Sequence, residues 1–201
     1  MTDRVIFHVD ANSAFLSWTA AYKLKVLGET EDLRLVPSVV AGDKESRHSI
    51  ILAKSAPAKK YGIKTGEPLF QALEKCPQLR IVQPDYPLYV EASRHFVEML
   101  RQFSPAVEQY SIDEAWVDMT GTRRLFGDPR VAAEKMRLRI CEELGFTVNI
   151  GISSNKLLAK MAGDFEKPNK VHTLFPEEME SKFWPLPVRD LCWWGPPRNE
   201  N

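Results

Sequence analysis

The chain opens on an apolar run, Val5-Ile6-Phe7-His8-Val9, that reads as a buried strand over residues 4–10 with Asp10 at its C-terminal end. Ala14, Phe15, Trp18, Ala21, Tyr22 and Leu24 then recur near helical spacing, predicting a helix from Asn12 to Leu27 that Gly28 ends. Leu33 to Val40 and Ser49 to Ala53 are β-like and are joined by a polar turn over 41–46, the pattern of a hairpin. Short helices are expected from Pro57 to Tyr61 and from Pro68 to about Lys75, so residues 30–78 read as a small inserted subdomain. Leu79 to Val82 is a short strand, and Tyr86 to Phe103 a long amphipathic helix with Leu88, Val90, Phe96, Val97 and Leu100 toward the core. Val107, Tyr110, Ile112, Ala115, Trp116, Val117 and Met119 predict two antiparallel strands around a turn at Ser111 to Glu114.

A further helix is expected from Asp128 to Leu144, with Asp128 as cap and Pro129 in its first position. Phe146 to Ile152 reads as a strand leading into Ser153-Ser154-Asn155-Lys156, which caps a helix running to about Asp164. This order of elements predicts an α+β fold, a sheet with helices packed on one face. Pro176 to Leu186 is amphipathic. Beyond it, Leu191-Cys192-Trp193-Trp194-Gly195-Pro196-Pro197 is aromatic with nothing after it to pack on, and reads as the opening of a further domain.

The apolar fraction of 44% and charged fraction of 27% are those of an ordinary globular chain of 201 residues, and no apolar run reaches the ~18 residues of a membrane span. With no charged start followed by a long apolar core, a cytoplasmic protein is expected, with no membrane partner. Cys76, Cys141 and Cys192 lack ligand-like spacing and read as reduced thiols. Lys plus Arg (27) equals Asp plus Glu (27). A grip on nucleic acid must therefore be local or supplied from outside these residues.

The stretch that stands out is PAVEQYSIDEAWVDMTG, residues 105–121, which sets Asp113 and Glu114 between two strand-like runs. An unpaired buried carboxylate costs several kcal/mol, so acids placed there call for a cation. Asp10 lies roughly a hundred residues earlier, and a sheet with both strands side by side brings the carboxylates together. Hard oxygen ligands on rigid strands suit Mg²⁺. On spacing alone, the other reading is a helix N-cap at Asp10 and ordinary turn residues at 113 and 114.

Three blocks in order, VDANSAFLS (9–17), YSIDEAWVDMTG (110–121) and NIGISSNKLLAKMAGDFEKPNKV (149–171), resemble the Y-family translesion DNA polymerases of the polymerase IV and V type. The resemblance covers residues 4 to about 192. It implies a ferredoxin-like palm with a mixed or antiparallel sheet over 1–29 and 79–175, a small α/β fingers insertion over 30–78, and only the start of a helical thumb over 176–201. It further implies Asp10, Asp113 and Glu114 as catalytic, metal-binding carboxylates, with Ala11 contributing its backbone carbonyl to two Mg²⁺ ions. Phe15 falls at the aromatic position that excludes a 2′-hydroxyl, the amides of Ala14 and Phe15 at the triphosphate donors, and Lys167 at the lysine on that triphosphate.

The fingers depart from the common pattern. Ser55-Ala56-Pro57-Ala58-Lys59-Lys60-Tyr61-Gly62 sets Ala56 and Lys59 where many relatives carry a Tyr and an Arg. Lys59 keeps the charge but loses the fork of arginine. The expected function is DNA-directed DNA synthesis past damage, with primer–template DNA and dNTP as partners and a sliding clamp reached through a C-terminal region not in this chain. The alternatives are a weakly active palm-and-fingers fragment and another palm-type enzyme such as a nucleotide cyclase, against which GISSNKLLAK argues.

Overall fold

A computed structural model describes residues 4–43, 49–188 and 191. The elements are β1 (Ile6–Ala11), α1 (Ala14–Lys25), β2 (Ser38–Ala41), β3 (Ile51–Lys54), α2 (Ala56–Lys60), α3 (Leu69–Lys75), β4 (Arg80–Val82), α4 (Tyr86–Arg101), β5 (Val107–Gln109), β6 (Glu114–Asp118), α5 (Arg123–Phe126), α6 (Pro129–Leu144), β7 (Val148–Ser153), α7 (Lys156–Asp164), β8 (Val171–Thr173) and α8 (Met179–Lys182). Helices accompany sheets of mixed strand direction, the α+β class expected. The chain divides into two compact units. One contains residues up to Asp10, Val97–Cys141 and Thr147 onward; the other contains Ala11–Phe96 and Glu142–Phe146.

The first unit is built on a sheet of order β5-β6-β1-β7-β8. β6 runs antiparallel to β1 and to β5, and β7 runs parallel to β8. Every residue of β1 and of β7 is buried, as central strands covered on both faces require. Helix α7 packs on β7 at Gly151 and Gly163. A Cβ added at Gly151 would stand 1.9 Å from the Ala159 carbonyl oxygen and 2.3 Å from the Gly163 nitrogen. Only glycine permits that approach. Asn155 caps α7, its side chain accepting from the Leu158 amide at 2.9 Å, and Trp116 Nε1 on β6 donates to the Lys156 carbonyl at 3.2 Å. The helix is thus fixed in both rotation and height over the sheet.

The loop after α7 is tied down from below. Asn149, fully buried on β7, donates to the carbonyls of Gly163 at 3.0 Å and Glu166 at 2.6 Å, so the backbone that carries Lys167 hangs from one amide side chain.

The second unit holds a sheet of order β3-β2-β4, antiparallel between β2 and β3 and parallel between β2 and β4. Alternation along β2 separates two apolar layers. Val39 and Ala41 pack with Ile51, Ala58, Ile63, Leu69, Ala72, Cys76 and Leu79; Val40 faces Leu16, Ala20, Leu33 and Ala53.

Several expectations change. The strand expected from Leu33 begins only at Ser38, because Asp32 caps a turn by accepting from the Arg34 amide and Pro37 has no N–H to give a ladder. On α4 the buried stripe runs Tyr89, Ser93, Phe96, Val97 and Leu100, while Val90, a hundred degrees around the helix, is 62% exposed. Helix α5 and strand β8 were not expected; both are too short to show a period. The polar turn at 44–46 and the segment from Cys192 lie outside the described residues.

Gly151→Ala is expected to cost roughly 3 kcal/mol or more, since the obstacle is backbone and no side chain can move aside. Urea denaturation followed by circular dichroism checks this, and a loss under about 1 kcal/mol would mean that α7 can lift from the sheet.

Candidate metal and nucleotide site

In the register of β1 and β6, Asp10 stands directly opposite Glu114. Side chains facing each other across an antiparallel pair have Cβ atoms about 4.5–5.5 Å apart, and like charges there are destabilising. Asp10 is buried and Glu114 partly so. The repulsion is met by protein cations. Lys167 Nζ is in contact with Asp10 Oδ2 and also with Asp164 Oδ1 at 2.9 Å. Lys160 Nζ is in contact with Glu114 Oε2, which also bonds His8 Nε2 at 2.9 Å. His8 is two residues before Asp10 on β1 and 2% exposed; its ring lies 5.6 Å from Trp116, and Lys160 stands 5.2 Å over the Tyr110 ring. Neither His8 nor the ion pair of Lys160 was anticipated for Glu114, although i and i+2 on one strand share a face and that pairing is legible once the strand is assigned.

The two acids have opposite electrostatics. The hydrogen bond from His8, opposed by burial and joined by Lys160, pulls the Glu114 carboxyl down to about 2. Burial pushes the Asp10 carboxyl up, against the pull of Lys167 and with the charge of Glu114 adding to the rise. Burial also works to lower Lys167, but Asp10 and Asp164 together hold its ammonium above the ordinary lysine range.

Asp113 is placed differently. It lies in the turn between β5 and β6, half-buried, and its Oδ1 accepts from the Ser111 hydroxyl at 2.8 Å. Among the described residues no group of three acidic, imidazole or thiol side chains is gathered as a ready ligand set. Asp10 and Glu114 form an opposed pair with an ammonium group at each. The donor chemistry still fits Mg²⁺. Two carboxylates on adjacent rigid strands, with a third one residue away, supply hard oxygens, and the two Nζ atoms stand where positive charge is stabilised.

The remaining expected residues belong to the second unit, apart from the shared strand end. Ala11, buried, closes β1, and Ala14, buried, opens α1. Phe15 is half-buried and stacks on Tyr89 with ring centroids 4.5 Å apart and planes at 17°. Lys59 is exposed in the last turn of α2.

For Glu114 the folded value lies below the unfolded one, so its contribution to stability is complete above about pH 4.5 and is lost as the pH falls toward 2. In metal-free buffer the stability advantage of the native chain over Glu114→Gln is expected to be level above pH 5 and to shrink by on the order of 1–2 kcal/mol below it, allowing for screening at a partly exposed group. Denaturation curves at stepped pH check this; an advantage independent of pH would show that the carboxylate is not held by His8 and Lys160.

Residues 9–164 match the model of the impB/mucB/samB family. The chain is 53% identical over 188 residues to the DNA polymerase IV of Clostridium acetobutylicum, covering 94% of this chain and 47% of that protein. It is 41% identical over 196 residues to the DNA polymerase IV of Moorella thermoacetica, covering 97% and 47%. Among solved structures it resembles DinB from Sulfolobus solfataricus with a TM-score of 0.82 at 26% identity, over 95% of this chain and 54% of that one. An insertion ternary complex of Dbh DNA polymerase gives 0.80 at 25% identity, over the same shares. The chain spans about half the length of the curated relatives it matches. With the family model spanning most of its residues, the chain belongs to the impB/mucB/samB family, the Y-family DNA polymerases.

Proposed function

We propose that this chain carries the catalytic centre of a DNA-directed DNA polymerase that copies damaged templates, working by a two-metal mechanism with primer–template DNA and dNTP as substrates. The observation that carries the reading is the pairing of Asp10 with Glu114 across β1 and β6, with Lys167 and Lys160 at contact. Asp10, Asp113 and Glu114, with the carbonyl of Ala11, would hold the ions. Bound Mg²⁺ supplies two things, a lowered pKa at the primer 3′-hydroxyl and neutralisation of the phosphates.

The chain's own groups then have distinct tasks. Lys167 offers its ammonium to the triphosphate, and so does Lys59 as a point charge without the bidentate fork of arginine. The amides of Ala14 and Phe15 are, in this reading, donors to a triphosphate. The Phe15 ring, stacked on Tyr89, would exclude a ribose 2′-hydroxyl. His8 fixes the direction of the Glu114 carboxylate. In this reading the sheet of the first unit is the palm core and the β2–β4 sheet with α2 and α3 the fingers. A sliding clamp would be met through parts of the protein other than these residues. A neutral chain offers few net phosphate contacts, so grip on the duplex would have to come largely from elsewhere.

The test is a chimera in which this chain replaces the matching segment of the Clostridium acetobutylicum relative. It is expected to extend a primer in Mg²⁺. Asp10→Asn in the chimera is expected to lower single-nucleotide incorporation at least about a hundredfold with DNA binding unchanged. An active Asp10→Asn chimera would remove Asp10 from the site.

A further inference from the structure

Resting on the metal-site reading above, we propose that Lys160 and Lys167 are resident counter-ions of the carboxylate pair, which divalent metal must displace, so that these lysines weaken metal binding until a triphosphate draws them away.

The argument starts from the acids. Opposed on neighbouring strands and largely withdrawn from water, Asp10 and Glu114 need positive charge at all times, and in the structure each has an ammonium in direct contact. A metal ion approaching either carboxylate, by the engaged oxygen or the other, meets that ammonium within a few ångströms. At such separation the repulsion between a divalent ion and a lysine is worth at least a power of ten in affinity even in a watery dielectric.

The two lysines are built to be released to different degrees. Lys167 also holds Asp164 at 2.9 Å, so on leaving Asp10 it keeps an acid partner. Its backbone is tethered by Asn149 through the Glu166 carbonyl, so the side chain can swing while the loop stays in place. Lys160 lies over the Tyr110 ring, a face that can keep a cation near the site without a carboxylate. Polyphosphate oxygens would be stronger acceptors than either resting place. Metal and triphosphate would then help each other in, and by reciprocity the lysines that oppose metal alone would favour the pair. The consequence is a site that stays charge-balanced and holds metal loosely until a nucleotide arrives.

The experiment measures Mn²⁺ binding to this chain by electron paramagnetic resonance, with metal as the sole ligand. Lys160→Met, which keeps an unbranched stem of similar length but removes the ammonium, is expected to tighten Mn²⁺ about tenfold. Lys156→Met on the same helix serves as control. Lys156 pairs with Glu108 and stands 5.3 Å over Trp116, with its charge already matched there, and its loss is expected to leave Mn²⁺ affinity within about twofold. Asp10→Asn is expected to abolish the binding that Lys160→Met strengthens. Unchanged or weaker Mn²⁺ binding in a Lys160→Met variant with native circular dichroism overturns the counter-ion role while leaving the metal site standing. Undiminished binding in Asp10→Asn overturns both. If Lys160→Met fails to fold, Lys167→Met, on the loop, carries the same expectation and the same refutation.

Discussion

Two like charges held opposite each other on adjacent buried strands are the constraint from which the first unit follows. The register that pairs Ile6 with Asp118 and Val9 with Ala115 is fixed by apolar packing on both faces of β1, and it carries Asp10 and Glu114 into opposition as its last step. A slip of one residue would relieve the repulsion but would turn every β1 side chain to the other face. The sheet therefore imposes the electrostatic problem, and the elements around it answer it. The close seat of α7 on Gly151 brings Lys160 over Glu114, the loop hung from Asn149 brings Lys167 to Asp10, and His8 uses the alternation of β1 to reach Glu114 from below.

That arrangement explains how the two acids are tolerated side by side. Glu114, hydrogen-bonded and paired, stays ionised deep into acid; Asp10, more buried, is the costlier charge and depends more on whatever cation stands beside it. A polymerase centre of this family needs carboxylates that are charged and rigid before substrate arrives, because reorganisation at the moment of reaction would cost rate. Under the counter-ion proposal, lysines that hold the acids and then pass to phosphate provide both conditions with the same groups.

Much of this was legible in the sequence, for identifiable reasons. β1 is a continuous apolar run, α7 carries a strong helical period, and caps at Asp128 and Asn155 mark the starts of α6 and α7; with α1 they form close to their expected bounds. The acids of 113 and 114 were conspicuous because strand-like neighbours flanked them. What failed was local: Val90 is apolar and sits on α4, yet Tyr89 took the buried position because its ring fills the space beside Phe15 and Trp18. The ion pairs of Lys160 and Lys167 were not legible, because lysines on a helix and a loop give no signal of which acids, 46 and 157 residues away, they will meet.

The central claim, that the acid pair is a cation site kept filled by lysines until metal and nucleotide enter, is met most directly by crystals of this chain grown with Mn²⁺ and a deoxynucleoside triphosphate. The account predicts an anomalous-scattering peak within coordination distance of Asp10 and Glu114, with Lys167 and Lys160 turned from the carboxylates onto phosphate oxygens. Mn²⁺ bound elsewhere, with both lysines still on Asp10 and Glu114, would contradict it.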